Sequence, residues 1–211
     1  MNKINFKKKV RGLVVTVLAL ILSTATLSTA SSIYENLYSF KPKQKIENPD
    51  PDFELKQKVK DRIKDVSTRA EAESRLVWVE VPVWRLKDGK KVSDTERFQI
   101  LDVLANDVKE IFHEIHKGKE KFPIKNLIGY SWRGSFKSLH STGRAIDLNP
   151  EENPQVNSNG KAIVGKSWQP GGNPYSIKPD GDVVRAFTKR GWTWGANFRT
   201  RDYMHFGFAE M

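Results

Sequence analysis

The chain has no cysteine. Disulfides are therefore excluded as braces for the fold, a lipid anchor on cysteine is excluded, and any metal ion must be held by His, Asp or Glu. Histidine is scarce as well. Only four occur in 211 residues, at positions 113, 116, 140 and 205. Acidic residues are in deficit, with 25 Asp and Glu against 36 Lys and Arg and a net charge of +11. What is present is ordinary for a folded protein: 38% hydrophobic and 29% charged residues fit a soluble globular domain and not a disordered one. The length suffices for one well-cored domain plus extras. Six Trp and eleven Phe supply large apolar surfaces for a core or a cleft.

The N-terminus stands apart. Lys3, Lys7, Lys8, Lys9 and Arg11 precede the apolar run GLVVTVLALIL at 12–22, and small residues Ser28 and Ala30 follow. This order is that of a secretory signal peptide over residues 1–30, with cleavage expected after Ala30. The run is short for a full span, so contact with a membrane is expected only if the segment stays uncleaved. An exported chain with a basic surface suits an anionic polymer such as a bacterial cell wall. The same export signal argues against nucleic acid, the partner that a high pI would otherwise suggest.

Residues 31–52 contain three prolines and little periodicity, as in a flexible stalk. Leu55, Val59, Ile63 and Val66 recur at helical spacing and predict one amphipathic helix over 53–75. LVWVEVPVWRL at 76–86 is rich in β-branched and aromatic residues and predicts a strand, with KDGK as a turn after it. SDTE at 93–96 has the spacing of a capping box, which predicts a helix from Asp94 to His116 with Phe98, Leu101, Leu104, Val108, Ile111 and Ile115 along its core stripe. His113 and His116 near its end are three apart, not four as in the H-E-x-x-H metal helix. They are read as solvent-facing histidines at a helix C-terminus. IKNLIGYSW predicts a second strand, 150–180 a long loop, DVVRAFTKRG a short helix closed by Gly191, and WTWG and DYMHFGF two short strands.

The remaining two histidines behave differently. If GRAIDLN is a strand, Ile146 and Leu148 face the core while Ala145, Asp147 and Asn149 face the other way. Gly143 can bend the chain and return His140 over Asp147. In DYMHFGF the core face is Met204, Phe206 and Phe208, which leaves His205 outward. If the two strands are neighbours, His140, Asp147 and His205 converge. Two imidazoles and a carboxylate with a fourth position open to water form the ligand set of a catalytic zinc ion. Asp202, three residues before His205, can reach the site as a base. Taken alone, this spacing equally fits a surface aspartate on a strand and a hydrogen-bonded, half-buried histidine.

The wider pattern narrows the reading. S-x-H-x-x-G-x-A-x-D (Ser138, His140, Gly143, Ala145, Asp147) with a late D-x-x-H-F (Asp202, His205, Phe206) resembles the D-alanyl-D-alanine carboxypeptidase family of zinc peptidases. That family includes vancomycin-resistance D,D-carboxypeptidases and L-alanyl-D-glutamate endopeptidases of phage lysins. GYSWR (Tyr130, Arg133), NPEENP and GWTWG (Trp192, Trp194, Gly195) extend the resemblance, which covers roughly Leu76 to the C-terminus. It implies an α+β fold: a small, mostly antiparallel sheet with helices packed on one face and a zinc cleft on the other, of the hedgehog/D,D-peptidase type, over 76–211. It implies Zn2+ held by His140, Asp147 and His205, a general base at Asp202, oxyanion stabilisation by Arg133, and substrate contacts at Tyr130, Ser138 and Trp194. The implied partner is the peptidoglycan stem peptide, cut by a monomer. Two departures stand out: Ser141-Thr142 follow the first histidine, where many members carry an aromatic residue or Asn, and the base is aspartate where some D,D-peptidases use glutamate. The aspartate leans toward the endopeptidase branch. A non-catalytic zinc module of the cell wall on the same scaffold is the alternative. It would need neither Asp202 nor Arg133.

Overall fold

The computed structural model describes residues 51–209. The expected signal peptide and all but the last two residues of the expected stalk lie outside the described residues. The architecture is α+β, with three small antiparallel sheets and four α-helices among the described residues.

An Asp-Gly pair shapes the first half. Asp88 (φ 50°) and Gly89 (φ 73°) both take left-handed backbone, the twist that lets a two-residue turn join two strands directly. β1 (Leu76–Lys87) and β2 (Lys90–Leu101) therefore form one continuous hairpin, in register from Leu76↔Leu101 to Lys87↔Lys90. The predicted helix start at Ser93 is thus corrected to a strand. Ser93 and Glu96 cap nothing: the Ser93 hydroxyl meets His116 Nε2 at 2.8 Å, and Glu96 pairs with Arg85 across the hairpin. Helix begins only at Ala105, after a 3-10 turn over Asp102–Leu104. The six stripe residues are nonetheless all buried. Phe98 and Leu101 are buried from the strand, Leu104 from the 3-10 turn, and Val108, Ile111 and Ile115 from the helix that follows.

The N-terminal helix is two helices. α1 (Pro51–Ile63) buries Val59 and leans Leu55 and Ile63 on the core. It stops because Ser67 and Thr68 draw the backbone into a new start. The Thr68 hydroxyl accepts the Glu71 N–H at 3.2 Å, and the Glu71 carboxylate accepts the N–H groups of Ser67 and Thr68 at 2.8 and 2.9 Å. That capping box opens α2 (Arg69–Glu73).

α3 (Ala105–Lys117) turns Val108, Ile111, Phe112 and Ile115 toward the hairpin face made by Val79, Val81 and Val83. A four-stranded antiparallel sheet follows, in the order β3–β4–β8–β7: β3 (Leu127–Ile128), β4 (Ala145–Leu148), β8 (His205–Gly207) and β7 (Thr193–Trp194). α4 (Asp182–Thr188) packs beneath it. Phe187 stacks on Phe206 of β8 at 4.1 Å and 15° and meets Phe112 of α3 edge-on. Gly191, at φ 78°, follows the end of that helix as expected. The loop 150–180 contains its own ribbon, β5 (Gln155–Val156) with β6 (Ala162–Val164). Two buried asparagines hold its base. Asn149 accepts the Lys125 and Asn126 amides, and Asn153 donates to the carbonyls of Leu148, Asn149 and Tyr175. The NPEENP stretch is thus a polar anchor for a long loop.

Candidate metal centre

β4 is buried on both faces, so Asp147 is a carboxylate inside the protein. Such a group is costly unless paired. Antiparallel pairing with β8 sets Asp147 directly opposite His205. His140 arrives from the other side on the 3-10 turn Leu139–Thr142. Gly143 closes that turn at φ 65°, and a Cβ there would strike Leu76 and the Leu101 amide, so glycine alone permits the bend. The three expected ligand residues are together. His140 Nε2 lies 3.2 Å from His205 Nδ1 and 3.1 Å from Asp147 Oδ2, and His205 Nδ1 lies 3.1 Å from Asp147 Oδ1.

Those separations suit a small tetrahedral cation, whose ligand atoms at about 2.1 Å from the ion sit about 3.4 Å apart. The tautomer suits it too. His140 Nδ1 is 2.7 Å from the Gly129 carbonyl. A carbonyl only accepts, so Nδ1 carries a proton; the neutral ring then turns a bare lone pair on Nε2 toward the cluster, and the cationic ring donates from Nε2 to Asp147. Burial pushes the Asp147 carboxyl up, but the hydrogen bonds from His140 and His205 outweigh it and hold it down at about 2. Burial pulls the His140 imidazole down, and the bond and charge of Asp147 leave it raised overall. Two imidazole nitrogens and one anionic carboxylate are a donor set that fits zinc.

Asp202 precedes β8. Its N–H donates to the Gly195 carbonyl at 2.9 Å, and its own carbonyl accepts the His205 N–H at 3.3 Å. Any side chain at Gly195 would collide with Asp202, so this glycine allows the close approach. Asp202 Oδ1 is buried without a hydrogen-bond partner. Burial first, and the charge on Asp147 second, push its carboxyl up to about 6. A buried acceptor with an open lone pair and such a value is matched to taking a proton near neutral pH. Arg133 extends a half-exposed guanidinium to 3.9 Å from Asp147. Its backbone N–H is held at 3.0 Å by the buried Ser141 hydroxyl, which gives a structural use to one of the two residues that depart from the family pattern.

The other expected site residues are dispersed. Ser138 stands half-buried at the start of the 3-10 turn and makes no side-chain cap bond. Tyr130 is engaged elsewhere, its hydroxyl donating to Glu73 Oε1 at 2.8 Å. Trp194 is not brought to the group. Its ring is 4% exposed, packed against Trp168 and Phe206, and its Nε1–H donates to the Tyr203 carbonyl at 2.9 Å. His113 is exposed on α3, whereas His116 is not solvent-facing as expected. It stacks on Trp84 at 4.6 Å and 6°, and burial, with the nearby His113 and Lys121 charges, pulls its imidazole down. Sequence reasoning missed Gly129, whose contribution is a backbone carbonyl and so carries no side-chain signal. It also missed Phe198, which is 39% exposed with its ring 5.9 Å from that of His205. The loop ribbon β5–β6 walls a cavity of about 300 Å³ that Arg201 and Tyr203, the sequence neighbours of Asp202, also line.

No curated protein and no solved structure matches the chain. Residues 131–208, which hold His140, Asp147, His205, Asp202 and Arg133, match the family model described as D-alanyl-D-alanine carboxypeptidase.

Proposed function

We propose that this chain is an exported zinc peptidase that hydrolyses peptide bonds in peptidoglycan stem peptides. The observation that carries the reading is the convergence of His140, Asp147 and His205 at ligand spacing, with the buried and unpartnered Oδ1 of Asp202 next to them. A zinc ion held by those three residues would supply Lewis acidity and a water of lowered pKa. Asp202 takes the proton of the attacking water and returns it to the departing amine. Arg133 stabilises the negative charge that develops on the scissile carbonyl oxygen, a task suited to a guanidinium that never loses its proton. Asp147 stays anionic and holds both imidazoles in line. The choice of aspartate as base favours the endopeptidase branch, between L-alanine and D-glutamate, over removal of the terminal D-alanine. Export rests on the basic and apolar order of residues 1–30.

The test is mass spectrometry of purified peptidoglycan fragments after incubation with the zinc-loaded chain. Free L-alanine-capped and D-glutamate-initiated products are expected. Fragments shortened by one D-alanine would move the chain to the carboxypeptidase branch, and fragments of unchanged mass would overturn the peptidase reading.

A further inference from the structure

On the side away from Asp147 and His205, the His140 ring is held by the segment Gly129–Ser131. Its Nδ1–H donates to the Gly129 carbonyl at 2.7 Å, and its own carbonyl accepts the Ser131 N–H at 3.1 Å. That segment is fixed through the residue between them. The Tyr130 N–H donates to the Gln99 carbonyl of β2 at 2.8 Å, and the Tyr130 hydroxyl donates to Glu73 Oε1 at 2.8 Å. Glu73 is steadied in turn by Arg69 Nε at 2.8 Å, one turn earlier on α2. The same helix packs against the 3-10 turn that carries His140. A short helix outside residues 131–208 thus reaches the metal centre by two routes, one through direct packing and one through Tyr130.

We propose that Tyr130 and Glu73 are positioning residues for His140, and that α2 is an integral part of the metal centre. This rests on the zinc reading above. The Gly129 carbonyl sets which imidazole nitrogen of His140 carries the proton, and the Tyr130–Glu73 bond holds that carbonyl in place. The Glu73 carboxylate bonds the Tyr130 hydroxyl, so its effect on the His140 ring passes through the backbone of residues 129–131.

The experiment compares Tyr130→Phe, Glu73→Ala and Glu73→Gln with the unaltered chain, using two readouts. The first is the zinc dissociation constant from chelator competition. The second is the tautomer of the His140 ring in the metal-free chain, read by nitrogen–proton correlation NMR. Tyr130→Phe and Glu73→Ala are expected to weaken zinc by about three- to tenfold, below the 10–100-fold typical of a directly bonded outer partner, and to mix the tautomers of His140. Glu73→Gln keeps an oxygen to accept the Tyr130 hydroxyl and is expected to restore both values to within about twofold. Thermal unfolding of the metal-free variants separates a fold effect, because a purely structural role would lower the midpoint and leave the tautomer unchanged. Unaltered zinc affinity together with a single unaltered tautomer in Tyr130→Phe would overturn the inference. If the unaltered chain binds no zinc, the peptidase reading falls, and the tautomer comparison still decides the positioning role.

Discussion

The four histidines form two pairs that reverse what their sequence spacing suggests. His113 and His116 lie within one helical turn on α3, yet one is exposed and the other is stacked on Trp84 and bonded to Ser93. His140 and His205 stand 65 residues apart, yet their ring nitrogens are 3.2 Å apart around a buried carboxylate. The first pair shares a helix, whereas in the second His205 stands in strand register with Asp147 and a 3-10 turn returns His140 to the same carboxylate. Register is the stronger device, because antiparallel pairing fixes which residues stand opposite each other. It also buries them, and burial is what gives a charged or metal-binding group its leverage.

The sharpest break of this comparison is removal of a ligand. His205→Ala is expected to lose both zinc and turnover, since a ligand supplies part of the ion's binding energy. Asp202→Asn should keep the fold and the zinc and lose turnover by about 10²–10⁴-fold, the usual worth of a general base. Zinc content beside kcat on a muropeptide checks both. Wild-type turnover in Asp202→Asn would move the base elsewhere. Next in size, Arg133→Ala should retain zinc and lose about 10²–10³-fold in kcat, the range for one lost oxyanion donor. Arg133→Lys should recover only part of it, because an ammonium cannot copy the planar fork. An equal loss in zinc affinity would show instead that Arg133 serves Asp147.

The smallest effect belongs to the other pair. His113→Ala with His116→Ala should leave kcat/KM within about twofold. Loss of the Trp84 stack should lower stability by about 1 kcal/mol, seen as a thermal midpoint lower by a few degrees. A drop in activity larger than the drop in folded fraction would tie that helix to the site.

Much of the centre was legible because it rests on local rules. Alternation along AIDLN and MHFGF separated core from site residues, and Gly143 marked the bend that returns His140. Asp202 could be placed from its offset to His205. The hairpin was harder to read. Ser93–Glu96 and Thr68–Glu71 have the same S/T-x-x-E spacing, and only the second is a capping box. The Asp88–Gly89 turn decides between them, since its left-handed pair commits the following residues to a strand. Trp194 and Tyr130 sit in motifs that resemble the family's, but their partners, the Tyr203 carbonyl and Glu73, are set by tertiary packing. The Tyr130–Glu73 bond spans 57 residues and leaves no local pattern.

The central claim is that the distant pair, and not the adjacent one, holds the metal. Elemental analysis after gentle purification, on the unaltered chain, His140→Ala and the His113→Ala/His116→Ala double variant, tests it most directly. One zinc per chain is expected in the unaltered protein and in the double variant, with none in His140→Ala. Zinc retained by His140→Ala and lost from the double variant would contradict it.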